Sequence, residues 1–257
     1  MTSLAKTNLQ DIIKKQTSNK IKTNIDFFSS MVILQLIAIF LSFSGGVSMM
    51  SGTSSSGNYS YSYSVKNLSG EMIFIFTIIW VIYIGISIAR NQERAFVFVT
   101  NRLSNNVSNI IHIATYTLVA AVTSVLGSLF LRVLVYSIEG STNISSFNFV
   151  IPPIEILMLI FTGFLYMTII ASIAYLVGNL MNINRTFGPI IMAVLLGIVL
   201  FAPVIISAVL PMGFIKRGIE FFTKEPSLVV FTFKIVFASS IFYYASILIS
   251  NRMEVLK

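Results

Sequence analysis

Residues 72–89 carry no charged side chain, and few environments accept such a run. A helix rises 1.5 Å per residue, so about 20 apolar residues cross the roughly 30 Å hydrocarbon layer of a bilayer. Five further stretches are long and apolar enough to do the same, near 25–44, 109–136, 151–178, 188–210 and 229–249. Six such segments do not fit one soluble core. Of 257 residues 56% are hydrophobic and only 10% charged, where a soluble domain carries about a quarter charged. The expected fold is all-α and polytopic, with six transmembrane helices in a single domain over 1–257. Residues 1–24 form an amphipathic lead, expected as an interfacial helix.

An even number of spans puts both termini on one side, and basic residues are retained on the cytoplasmic side. Lys6, Lys14, Lys15, Lys20, Lys22, Arg90, Arg94, Arg102, Arg185, Arg252 and Lys257 fall on the side of the termini. Only Lys66, Arg132, Lys216, Arg217 and Lys224 fall opposite, with Lys234 inside the sixth span. Both termini are therefore expected in the cytoplasm of a cell membrane protein. The net charge of +8 is accounted for by this asymmetry and needs no nucleic acid partner. Residues 31–43 have the length of a signal-peptide apolar region and are followed by Ser44, Gly45 and Gly46. The long polar lead and the missing Ala-x-Ala site favour retention of this first span.

Four polar segments stand out. In the lead, Leu9, Ile12, Ile13, Ile21, Ile25 and Phe28 fall mostly on one helical stripe, with Lys14, Lys15, Lys20 and Lys22 largely off it. That suits a helix lying on anionic headgroups; the alternative is a basic tail that only fixes orientation. After the second span, residues 90–109 place Phe96, Val99, Leu103 and Val107 at i, i+3, i+7 and i+11, one face of a short amphipathic helix. The run AFVFV reads equally as a strand or the deep end of a helix. Between the fifth and sixth spans, Ile215, Ile219 and Phe222 share a face flanked by Pro211 and Pro226, as in a short interfacial helix or a solvated loop. The loop SGTSSSGNYSYSYSV is too polar for a core of its own; its Tyr–Ser alternation fits a short strand or headgroup-level tyrosines, and a disordered loop is the preferred reading.

Six spans, a basic amphipathic lead, a basic helix-forming loop after the second span and a short outer segment before the sixth resemble the permeases of ABC-2 type ABC transporters over essentially the whole chain. The resemblance is one of architecture. It implies an elbow helix for the lead and a coupling helix, docking on a separate cytoplasmic ATPase subunit, for Glu93, Arg94, Phe96, Thr100, Asn101 and Arg102. It also implies a second permease, identical or related, completing the channel, with ATP and Mg held by the ATPase and no cofactor by this chain.

The chain has no G-x-x-x-x-G-K-[ST] loop and no H-E-x-x-H motif, so it is not expected to be an enzyme itself. Cysteine is absent and His112 is the lone histidine, which argues against thiol chemistry and zinc clusters. His112 is expected as an interfacial hydrogen-bonder at the inner end of the third span. Arg132 and Lys234 are expected to snorkel from the outer ends of their spans, or to join Lys216, Arg217 and Lys224 in a basic outer vestibule. In the fourth span Thr168 with Ser172, and Ala174 with Gly178, are small pairs suited to close helix approach within or between subunits. The expected function is thus a permease subunit exporting a hydrophobic or amphipathic compound such as a peptide, lipid or antibiotic. The alternatives are a membrane-embedded immunity or assembly protein and a stand-alone secondary transporter. The Ile-, Asn- and Lys-rich usage points to a bacterium.

Overall fold

The computed structural model describes residues 9–43, 49–56, 59–66, 70–91, 102–139, 151–183, 193, 197 and 227–252. Six helices are described in full: α1 (Leu9–Thr23), α2 (Asp26–Leu41), α3 (Glu71–Arg90), α4 (Arg102–Glu139), α5 (Pro153–Ile183) and α6 (Leu228–Arg252). Four of them are long and apolar enough to cross a membrane: Glu71–Arg90, Leu103–Ile138, Pro153–Asn182 and Leu228–Ser250. They correspond to the second, third, fourth and sixth segments read from the sequence. The first does not stand alone. Helix α2 has only 16 residues, and it passes as a span only in combination with α1, from which it is bent by 51°. The fifth segment and the outer segment at 211–226 lie outside the described residues, apart from Ala193 and Gly197, which are helical.

Helix α4 begins earlier than the sequence suggests. Its 38 residues absorb the polar string Ser104, Asn105, Asn106, Ser108 and Asn109, which reads in sequence as loop or a separate surface helix. Leu103, on the apolar stripe of that segment, is 52% exposed, while Asn105, Ser108 and Asn109 are buried. In a helix surrounded by lipid the apolar side faces outward, and the polar side must find partners within the bundle. Helix α6 follows the same rule, with Phe233 and Phe237 facing out at 73% and 71% exposure and Ser239, Ser246 and Ser250 buried.

The tightest approach joins α3 and α5. A Cβ added at Gly178 would lie 2.5 Å from the Ala89 Cβ, and one added at Gly85 would lie 2.8 Å from the Ala174 Cβ. The Ala174 and Gly178 pair is therefore used inside this subunit, against Gly85 and Ala89. Helix α2 is fixed differently, by a polar anchor in an apolar setting: Gln35 Nε2 donates to Thr77 Oγ1 of α3 at 3.1 Å and to Thr123 Oγ1 of α4 at 3.0 Å. Trp80 Nε1 adds a bond to Ser30 Oγ at 3.0 Å. Around Tyr116 the rings of Phe27, Phe28, Trp80 and His112 gather at 5.9, 4.8, 5.9 and 4.5 Å.

Between α2 and α3 the chain forms an antiparallel hairpin, β1 (Met49–Ser56) with β2 (Tyr59–Lys66). The preferred sequence reading of a disordered loop is replaced by the strand reading that the Tyr–Ser alternation also allowed. Met49 pairs with Lys66 at its open end. The chain then turns into α3 at Gly70, whose φ of 69° is left-handed and whose place beside the Ser128 Cβ leaves no room for a side chain.

Candidate functional site

The α1 end of the bundle holds a buried polar constellation. Asn105, Asn109, His112 and Tyr116 recur at i, i+4, i+7 and i+11 on α4, and so line one face. Against it stand Thr17 and Lys20 of α1 and Asn24 of the turn that follows. Thr17 Oγ1 lies 3.2 Å from Ser108 Oγ, and Tyr116 Oη donates to the Asn24 carbonyl at 2.9 Å. Lys20 enters the interface: its ammonium donates to Asn105 Oδ1 at 2.7 Å, Asn109 Oδ1 at 2.6 Å and the Asn105 carbonyl at 3.3 Å. Polar Thr17 and Lys20 make the contact with α4, while Leu9 and Ile25 of the apolar stripe stay exposed, as do Lys14, Lys15 and Lys22. This is a braced helix, and neither a free tail nor a helix held by lipid alone.

The bonds continue in one direction. Asn109 Nδ2 donates to Tyr175 Oη of α5 at 3.2 Å, and Tyr175 Oη donates onward to Asn106 Oδ1 at 3.3 Å. From Lys20 each group donates to the next, an order in which the cation polarises the chain and each bond strengthens its neighbour. Bonds to a charged group are worth about 1.5–3 kcal/mol each. All Lys20 partners among the described residues are neutral.

Burial lowers the Lys20 ammonium from its ordinary 10.5 to about 8. A folded pKa below the unfolded one means that the folded state releases the proton first. The associated stability is present in full above 10.5 and is lost as the pH falls through about 8. Melting curves of the purified protein should therefore show wild type gaining on Lys20→Met as the pH is raised from 8 to 10.5; a constant difference across that window would contradict the burial of this amine.

Toward α6 the polar surface widens into a seam. Asn179 Nδ2 donates to Ser246 Oγ at 2.5 Å, Asn182 Nδ2 to the Ala89 carbonyl at 3.0 Å, and the rings of Tyr175 and Tyr243 lie 6.1 Å apart. Several buried atoms here lack a hydrogen-bond partner: Asn105 Nδ2, both His112 ring nitrogens, Asn179 Oδ1 and the Tyr243 hydroxyl. Each such atom in a dry interior costs about 1–3 kcal/mol.

The sequence-derived site residues fare unevenly. Glu93, Arg94, Phe96, Thr100 and Asn101 lie outside the described residues, as do Lys216, Arg217 and Lys224. Arg102 is the first residue of α4, and Arg132 and Lys234 are half-buried on α4 and α6. His112 is not the interfacial hydrogen-bonder expected of it: it is 1% exposed and stacks on Tyr116, because the helix face it shares with Asn105 and Asn109 turns inward. Sequence reasoning passed over Gln35, Asn105, Asn109, Tyr175 and Asn179. Their signal is an amide or phenol recurring at helical spacing inside an apolar run, which in lipid marks an inward face. Among the described residues no three His, Cys, Asp or Glu side chains gather where a metal ion could be held. No protein-family model, curated protein or solved structure matches this chain.

Proposed function

We propose that this chain is the membrane-spanning permease subunit of an ATP-driven transporter of the ABC-2 type, exporting a hydrophobic or amphipathic compound such as a peptide, lipid or antibiotic. One observation carries the reading. Helix α1 is lodged through Thr17 and Lys20 on the first turns of α4, directly beyond the loop whose Glu93, Arg94, Phe96, Thr100, Asn101 and Arg102 would grip a cytoplasmic ATPase. A push on that loop then reaches a helix start that is braced, so displacement passes into the bundle and is not lost in slack chain. ATP and Mg would be held by the ATPase, and a second permease, identical or related, would complete the channel. Both termini would be cytoplasmic in a multi-pass cell membrane protein, with Arg132, Lys216, Arg217, Lys224 and Lys234 on the opposite side.

The test uses the affinity-tagged chain purified from its native membrane. ATP hydrolysis should co-purify, and reversing Arg94→Glu with Arg102→Glu should remove it, since breaking a charged pair at a buried interface costs about 2–5 kcal/mol. Unchanged co-purification with a well-inserted double variant rejects this docking site. Sidedness is checked separately in the cysteine-free chain: Ser55→Cys should react with an impermeant thiol reagent on intact cells and Arg94→Cys should not.

A further inference from the structure

Asn109 and His112 from α4, Tyr175 and Asn179 from α5, and Tyr243, Ser246 and Ser250 from α6 are buried polar side chains in the half of the bundle that carries α1, with Ser172 and Ser239 buried deeper along α5 and α6. Polar side chains between helices can serve as glue, and glue has a recognisable signature: donors and acceptors matched to one another. The match here is incomplete. Asn179 uses its amide nitrogen on Ser246 and leaves Oδ1 without a partner, while the Tyr243 hydroxyl and both nitrogens of His112 have none. These three residues are 0%, 9% and 1% exposed. His112 lies on the α4 face toward α1, and Asn109 and Tyr175 connect that face to Tyr243; donors and acceptors left over on three neighbouring helices are the pattern that water satisfies.

The charge of the region is as one-sided as its hydrogen bonding is incomplete. Lys20, level with Asn105 and Asn109, is held only by carbonyl oxygens, so its field is uncompensated by any carboxylate among the described residues bonded to it. A low-dielectric cleft carrying one sign of charge concentrates ions of the other sign. We infer that the seam between α4, α5 and α6 is a hydrated crevice opening at the α1 end, with Lys20 making it selective for water and small anions over cations. The inference is independent of the permease reading, because it concerns the solvent inside one subunit and requires neither ATP nor a partner.

The absence of cysteine in the chain makes a direct test available. Ser239→Cys and Ser246→Cys are introduced singly, each replacing one atom, with Leu118→Cys and Phe237→Cys on outward apolar faces as controls. The full chain in lipid nanodiscs is exposed to a negatively charged sulfonatoethyl methanethiosulfonate and to its trimethylammonium counterpart. Each rate is divided by that reagent's rate with a free thiol, which removes their intrinsic difference. The two seam variants should react about tenfold faster than the controls, with the sulfonate favoured, and Lys20→Gln should abolish that preference. Seam rates no faster than the outward controls would show a dry interface and overturn the inference. Fast reaction with no preference, or a preference that survives Lys20→Gln, would overturn the role of Lys20 as the selecting charge.

Discussion

Replacing Gly178 by leucine should abolish folding of the bundle, and replacing it by alanine should cost about 2–3 kcal/mol. The alanine methyl would meet the Ala89 Cβ at 2.5 Å and the Ile86 Cα and carbonyl oxygen at 2.9 Å. Two of those three atoms are backbone, so no rotamer change relieves them and the helices must move apart; overpacking of this kind costs about 1–3 kcal/mol and more for a longer side chain. Separation also loosens the neighbouring approach of Gly85 to Ala174. Ala89→Gly removes the shortest of the clashes, and Ala89→Gly with Gly178→Ala should recover part of the loss. Size-exclusion profiles and melting temperatures in mild detergent read the series. A Gly178→Leu protein that elutes and melts like wild type would show that α3 and α5 are not this close.

Asn109→Leu should destabilise by about 2–4 kcal/mol, because one side chain serves two partners. It accepts from Lys20 and donates to Tyr175, so leucine weakens the hold on a partly buried cation and takes a donor away from the Tyr175 oxygen. Leaving a buried charge short of a partner costs more than removing the charge altogether. Lys20→Met combined with Asn109→Leu should therefore be closer to wild type than Asn109→Leu alone, whereas independent sites would add. Tyr175→Phe, which removes the last two bonds of the chain and leaves Asn109 Nδ2 without this acceptor, should cost about 1–3 kcal/mol. Additive losses in the double variant would contradict a connected relay.

Legibility differed sharply between residue classes. The uncharged stretch at 72–89 returned as α3 within one residue at each end, because hydrophobic length is set by the bilayer and is read directly. The helical stripe through Leu103 and Val107 is legible, but not its continuity with the third span in one helix from Arg102, because Ser and Asn between them read as polar loop; that polar groups within a bundle meet one another is a property of three-dimensional neighbours. The same holds for Gln35, whose partners Thr77 and Thr123 lie 42 and 88 residues away. Ala174 and Gly178 were recognised as a close-packing pair, and only the position of α3 showed which helix they serve. His112 was assigned from its distance along a span, which says nothing about the direction in which it faces.

Helix α2 carries a consequence for how the protein is made. At 16 residues it measures about 24 Å, short of the roughly 30 Å hydrocarbon layer, and its Gln35 would be costly to leave in lipid unpaired. The groups that accept that amide belong to α3 and α4, which leave the ribosome later. The hairpin closes α2 onto α3 by pairing Met49 with Lys66, so the two helices are tethered before α4 arrives. Helix α2 is therefore fully partnered only after two helices made later than it. Its Gln35 keeps one amide hydrogen without its final acceptor until Thr123 has been delivered.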